Sequence, residues 1–150
     1  MLKEALFYSI LITSLAMFVD YTTDYYENKT THAQLYRALS EFESASIDNS
    51  IGDYGMSRGR YMISEAYYEC AIDFNPYLVS DWKQVHDPNY AEKIIEAYML
   101  KYLGKKVWNN LTDENIILIA RTHNGGPRGR YKRSTKEYGE AILNLVKTYK

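Results

Sequence analysis

The stretch Glu41–Ile63, EFESASIDNSIGDYGMSRGRYMI, decides how the rest of the chain is read. It starts as the end of a helical pattern, passes through short polar residues and closes on a segment with glycines at 52, 55 and 59. No helical period survives from Ser46 to Tyr61, so turns and short strands are expected there. Two carboxylates, Glu43 and Asp53, flank the break. A helix end feeding a hairpin-like element can hold such a pair on two sides of a groove. One carboxyl kept protonated and a second kept ionised is what cleavage of a glycosidic bond requires.

Upstream of the break, Leu35, Leu39 and Phe42 follow the i, i+4, i+7 spacing of a buried helix face. At roughly 100° per residue, Glu43 falls about 40° from Leu39, at the edge of that face, whereas Glu41 falls about 200° away, toward solvent. A carboxyl at an apolar border loses hydration, which favours the protonated form that a general acid needs. Glu43 is therefore the candidate acid. On its own, the residue also fits a helix-end glutamate with no chemistry. Thr31-His-Ala-Gln34 reads as a capping box that opens this helix, which ends at Glu43 or Ser44.

The residues around the two carboxylates carry a resemblance. Glu43-Ser44, Asp53-Tyr-Gly55 and Ser57-Arg-Gly59-Arg-Tyr61-Met-Ile63 resemble the active-site run of invertebrate-type lysozymes. Ala120-Arg-Thr-His-Asn-Gly-Gly-Pro-Arg-Gly129 is similar to a late segment of the same family, in the same order and at about the same separation. The likeness covers roughly residues 33 to 145. Lytic transglycosylases share a looser version of these motifs. The resemblance implies a mainly helical α+β lysozyme-like fold with a small β element beside a cleft. It also implies a muramidase that cuts the β-1,4 bond between N-acetylmuramic acid and N-acetylglucosamine in peptidoglycan or a related glycan.

In that reading Glu43 is the acid, and Asp53 matches the family's second carboxylate. On the residues alone, Asp53, or Asp48 five positions earlier, also fits a turn-forming aspartate. Ser57, Gly59, Tyr61, His123, Asn124 and Gly125 are the expected substrate-binding residues. Ser57 matches a family serine. Gly55 and Gly59 would let backbone approach a sugar, because no Cβ stands in the way, and Tyr61 would stack on one. His123 and Asn124 would face the cleft from a helix end, although a histidine there also fits an interaction with the helix dipole. Met62 stands where the family has glutamine, which removes an amide donor and acceptor from the groove. Two rivals remain open: a lytic transglycosylase that uses Glu43 alone, and a glycan-binding protein that has lost turnover.

Length and composition bound the rest. With 150 residues, 46% of them hydrophobic, the chain can build one real core. We read residues 20–150 as a single domain. A net charge of −1 gives no strong pull toward nucleic acid. The charge is unevenly placed, with four acids and no base from Ala38 to Ser57, and six bases and no acid from Arg121 to Lys136. The basic run fits either an anionic wall or a solvated loop. Residues 1–19 have a lysine near the start and an apolar run from Leu6. This is short for a membrane span and suits a signal peptide or an N-terminal hydrophobic helix. Secretion or an extracytoplasmic location is the expectation, with membrane contact only through that segment if it stays uncleaved. The resembled family is rich in disulfides, but Cys70 is the only cysteine here and can form no internal bridge. It is expected to be a buried small hydrophobe. His32, His86 and His123 share no metal-ligand spacing, and no cofactor motif occurs, so no metal and no cofactor are expected.

Downstream, Ser64–Ile72 reads as a short helix and Phe74–Pro88 as a loop. Asp87-Pro88 opens a helix whose stripe is Ala91, Ile94, Ile95, Tyr98, Met99 and Tyr102, ended by Gly104. Thr112 caps the next helix, which runs to the His123-Asn-Gly-Gly-Pro127 turn. Ser134-Thr-Lys-Glu137 reads as a capping box for a last helix with Tyr138, Ala141, Ile142, Leu145, Val146 and Tyr149 on its stripe.

Overall fold

A computed structural model describes residues 30–149. The N-terminal leader expected over residues 1–19 lies outside the described residues. Helix α1, His32–Ser44, opens on Thr31 with the capping box complete: the Thr31 hydroxyl accepts from the Gln34 backbone N–H, and the Gln34 side chain accepts from the Thr31 N–H. It ends where Ala45 turns left-handed. Three two-residue strands follow as an antiparallel sheet in the order β1 (Ile51–Gly52), β2 (Ser57–Arg58), β3 (Ile63–Ser64). Ile51 pairs with Arg58 and Gly52 with Ser57, while Ser57 pairs with Ser64 and Arg58 with Ile63. This sheet and the helices around it form an α+β architecture consistent with a lysozyme-like fold.

Helix α2 (Glu65–Phe74) is capped by Ser64. Helix α3 (Pro88–Leu103) is capped by Asp87 and carries proline at its first position. Ala91, Ile94, Ile95 and Met99 are fully buried on it. Each such aliphatic side chain larger than alanine contributes roughly 1.5–3 kcal/mol of apolar burial. Helix α4 (Lys105–Trp108), α5 (Asp113–Gly125) and α6 (Lys136–Thr148) complete the chain. Helix α6 packs on both α5 and α1, which brings the first and last described helices together. Among the described residues no helix is long and apolar enough to cross a membrane.

Some local expectations fail for identifiable reasons. Phe42 is 49% exposed rather than buried, and its ring meets Tyr138 edge-on at 5.1 Å. The Ser134 capping box does not form. The 3-10 turn Arg133–Thr135 leads straight into α6, and no side chain caps the helix. The Thr135 hydroxyl is used elsewhere, donating to the Gly129 carbonyl at 2.6 Å and accepting from Arg121 Nε at 3.2 Å. The expected loop 74–88 contains 3-10 turns at Pro76–Leu78 and Trp82–His86. Tyr102 and Cys70 are only half-buried at the edge of the core.

Candidate active site

Glu43 lies in the last turn of α1, with its side chain 16% exposed. Tyr138, in the first turn of α6, donates its hydroxyl to Glu43 Oε1 at 2.6 Å. Burial pushes the Tyr138 phenol far above its usual range, helped by the Glu43 charge, so it stays protonated and acts as a donor. His123 Nε2 stands 3.9 Å from the same carboxylate oxygen. Among the described residues no lysine or arginine pairs with Glu43. Arg60, Lys101, Lys147 and Lys136 pair instead with Asp48, Asp73, Asp113 and Glu140.

His123 is buried at the end of α5. Its Nε2 lies 3.0 Å from the Tyr61 carbonyl, which can only accept, so the proton of the neutral ring sits on Nε2. Nδ1 then accepts from the Tyr67 hydroxyl at 3.3 Å. The Tyr67 ring is itself stacked on Tyr98 at 3.6 Å. Burial lowers the His123 pKa, against the opposing pull of the Glu43 charge and the Tyr61 carbonyl bond. At neutral pH the Glu43–His123 approach is therefore no ion pair. Because its folded pKa lies below the unfolded value near 6.5, His123 lowers stability as pH falls through 6.5 toward its depressed pKa. Replacing it with Gln should flatten that acid-side decline, read as Tm against pH between about 7 and 5.

Asp53 follows β1 at the start of the 3-10 turn Asp53–Gly55 and is exposed. The buried Ser57 donates to Asp53 Oδ2 at 2.6 Å, which fixes the carboxylate across the hairpin. Both Asp53 (φ 52°) and Tyr54 (φ 56°) are left-handed. Among the described residues every non-glycine with positive φ lies between Ala45 and Met62. Strained backbone concentrated in one segment is a feature of functional sites. Asp48 is engaged differently: its carboxylate pairs with Arg60 Nε at 2.5 Å, and its carbonyl meets His86 Nδ1 at 2.8 Å. It ties the segment to the Trp82–His86 turn.

The remaining expected binding residues divide. Tyr61 is 1% exposed, donates to Glu92 Oε1 at 2.7 Å and packs edge-on against Tyr36. It presents no ring to a sugar, so the stacking expectation is corrected. The missing Cβ of Gly59 is filled by protein, since a Cβ there would lie 2.2 Å from the Val85 carbonyl oxygen. Its role is packing rather than sugar approach. Gly125 is likewise covered, by the Thr135 methyl, and its carbonyl accepts from Lys132 Nζ at 2.6 Å. Asn124 is exposed beside it. Met62 curls over Gly52, with its methyl where a Gly52 Cβ would stand. Among the described residues no group of three or more metal-ligating side chains is assembled. Tyr138 was legible only as a stripe residue and Tyr67 only as part of the Ser64–Ile72 helix, since nothing local marks their hydroxyls as partners of Glu43 and His123.

The geometry is that of a lysozyme-like α+β domain with a largely shielded glutamate at a helix end beside a short, strained hairpin. The lysozyme of Ostrea edulis is 38% identical over 90 residues, covering 59% of this chain and 60% of that protein. The lysozyme of Magallana gigas is 34% identical over 89 residues, again covering 59% and 60%. The chain thus spans about 60% of the length of these relatives. Over that length the chain is similar to both lysozymes. No family model matches the chain.

Proposed function

We propose that this protein is a muramidase of the invertebrate lysozyme type, acting outside the cytoplasm on peptidoglycan or a related N-acetylglucosamine-containing glycan. The observation that carries this reading is the setting of Glu43. It is mostly shielded from water, touched only by the neutral Tyr138 and His123 among its polar neighbours, and free of any lysine or arginine partner among the described residues. Such a carboxyl can carry a proton to the oxygen of a leaving sugar. Asp53, anchored by Ser57 and open to solvent, is the group that would stabilise or trap the glycosyl cation before water completes hydrolysis. The two oyster lysozymes support the reaction class.

Mass spectrometry of soluble fragments released from purified peptidoglycan tests the reading. Reducing-end products are expected from the wild type, at a rate that falls when Asp53 is changed to Asn. Anhydro ends, with Asp53→Asn inert, would move the assignment to a lytic transglycosylase. A folded protein that binds wall fragments and releases nothing would be a glycan-binding protein.

A further inference from the structure

Two cavities that take no wall from Glu43, Asp53, Tyr138 or His123 meet between α1 and α3. The larger, of about 420 Å³, reaches α4, and His32, Tyr36 and Trp108 form its aromatic wall. The smaller, of about 250 Å³, shares Tyr36 and Glu92 with it and runs on to Arg37, Ser46 and Arg60. The aromatic wall is fixed. Tyr36 donates its hydroxyl to the Glu92 carbonyl at 3.1 Å, and His32 Nε2 donates to the Trp108 carbonyl at 2.9 Å. The His32 and Trp108 rings lie 4.4 Å apart.

Glu92 and Glu96, one turn apart on α3, also line the larger cavity. Each commits one oxygen to an aromatic donor: Glu92 Oε1 accepts from the Tyr61 hydroxyl at 2.7 Å, and Glu96 Oε1 from Trp108 Nε1 at 3.3 Å. Among the described residues the second oxygen of each has no partner, and neither carboxylate is in a salt bridge. Like charges one helical turn apart repel. Lys93, exposed on the same helix, is the single lysine or arginine lining this end and pairs with neither. Burial and the two carboxylates together push the Tyr36 phenol well above its usual range, so the negative field converges on the aromatic wall. Carboxylates over aromatic faces are the setting that holds an organic ammonium.

The other end of the groove has the opposite sign. Arg60 is taken by Asp48 at 2.5 Å, which leaves Arg37 as the available cation. Its guanidinium lies 4.1 Å from the centre of the Tyr149 ring, and Glu41, one turn on, bonds the Tyr149 hydroxyl rather than Arg37. We infer that the joined groove binds a zwitterion the size of an amino acid or dipeptide, with its ammonium on an aliphatic stem against Glu92, Glu96 and the aromatic wall and its carboxylate at Arg37. Polarity carries the inference, because opposite charges at the two ends of one groove favour a ligand that bears both. A groove of a few hundred cubic ångströms suits a ligand of that size. The site is separate from Glu43 and Asp53 and stands or falls apart from the glycosidase reading.

Three probes test it. Nα-acetyl-lysine keeps both charges, its amide drops the carboxylate, and Nα-acetyl-norleucine drops the ammonium. Titrated at about pH 8, above the usual histidine range, the first should move the Trp108 indole N–H resonance. That of Trp82, which lines neither cavity, should stay in place. Each truncated probe should bind about tenfold more weakly, through loss of one charge-assisted contact. Glu92→Gln with Glu96→Gln keeps acceptors for Tyr61 and Trp108. It should weaken Nα-acetyl-lysine about tenfold and leave Nα-acetyl-norleucine unchanged. Arg37→Gln, at an exposed position, should weaken both carboxylate probes and leave the amide unchanged. If the double variant fails to fold, Arg37→Gln and the three probes decide. Equal affinity for all three probes would overturn the site, as would a Trp108 resonance unmoved by Nα-acetyl-lysine up to about 10 mM.

Discussion

Glu43→Gln is expected to reduce peptidoglycan cleavage by about 10²–10⁴-fold, the typical contribution of a positioned general acid. The substitution is close to isosteric, and the Tyr138 hydroxyl can still donate to the amide oxygen, so the fold should survive. Because that bond is kept, the change should cost no more than about 1 kcal/mol of stability. A turbidity assay on cell walls, run beside a thermal melt, separates the two effects. Glu41→Gln is the matched control. Glu41 is on the same helix and exposed, and among the described residues its side chain bonds only to the Tyr149 hydroxyl. Its loss should leave cleavage unchanged. A Glu43→Gln protein that cleaves walls at the wild-type rate would remove the proposed mechanism.

Gly59→Ala should produce the largest loss of stability of any single methyl added to the hairpin segment. The backbone there has φ +74°, where an L side chain costs about 1–2 kcal/mol. The new Cβ would also meet the Val85 carbonyl oxygen at 2.2 Å and its carbon at 3.0 Å. Overpacking against backbone costs about 1–3 kcal/mol more, because no flexible side-chain end can give way. Together these lower Tm by roughly 5–15 °C for a chain of this size. Gly55→Ala separates the two causes. Gly55 has φ +93° but nothing within 4 Å of its Cβ position, so it should show the backbone penalty alone. Equal melting points for the two variants would mean that Gly59 is not packed as described.

These two expectations come from different levels of the molecule. Glu43 was legible in the sequence because helical phase put it at the border of a buried face, and the shielded position it occupies agrees. Gly59 was legible only as a glycine in a turn. The sequence pointed it toward a sugar, whereas the fold lays the Trp82–His86 turn against it. Tyr61 was misread for the same reason. A tyrosine beside short strands can turn its ring either way, and the pairing of Arg58 with Ile63 brings the adjoining chain into the core. Ser134 looked like a helix cap by type and spacing, but the neighbouring Thr135 hydroxyl is bonded to Gly129, and the chain enters α6 without a cap.

What the sequence determined by itself is the local grammar. The Thr31–Gln34 box, the Asp87-Pro88 start and the Thr112 cap place helices, and apolar residues at helical spacing choose their buried faces. These signals are local because capping bonds and side-chain periodicity act within one or two turns. Only the tertiary structure decided what surrounds Glu43. The hydroxyl that reaches it belongs to Tyr138, 95 positions away, and the neutral imidazole beside it is fixed by the Tyr61 carbonyl and the Tyr67 hydroxyl. Such partners are set by how α1, α5 and α6 pack together. That packing depends on the summed burial of many side chains rather than on the spacing of any motif.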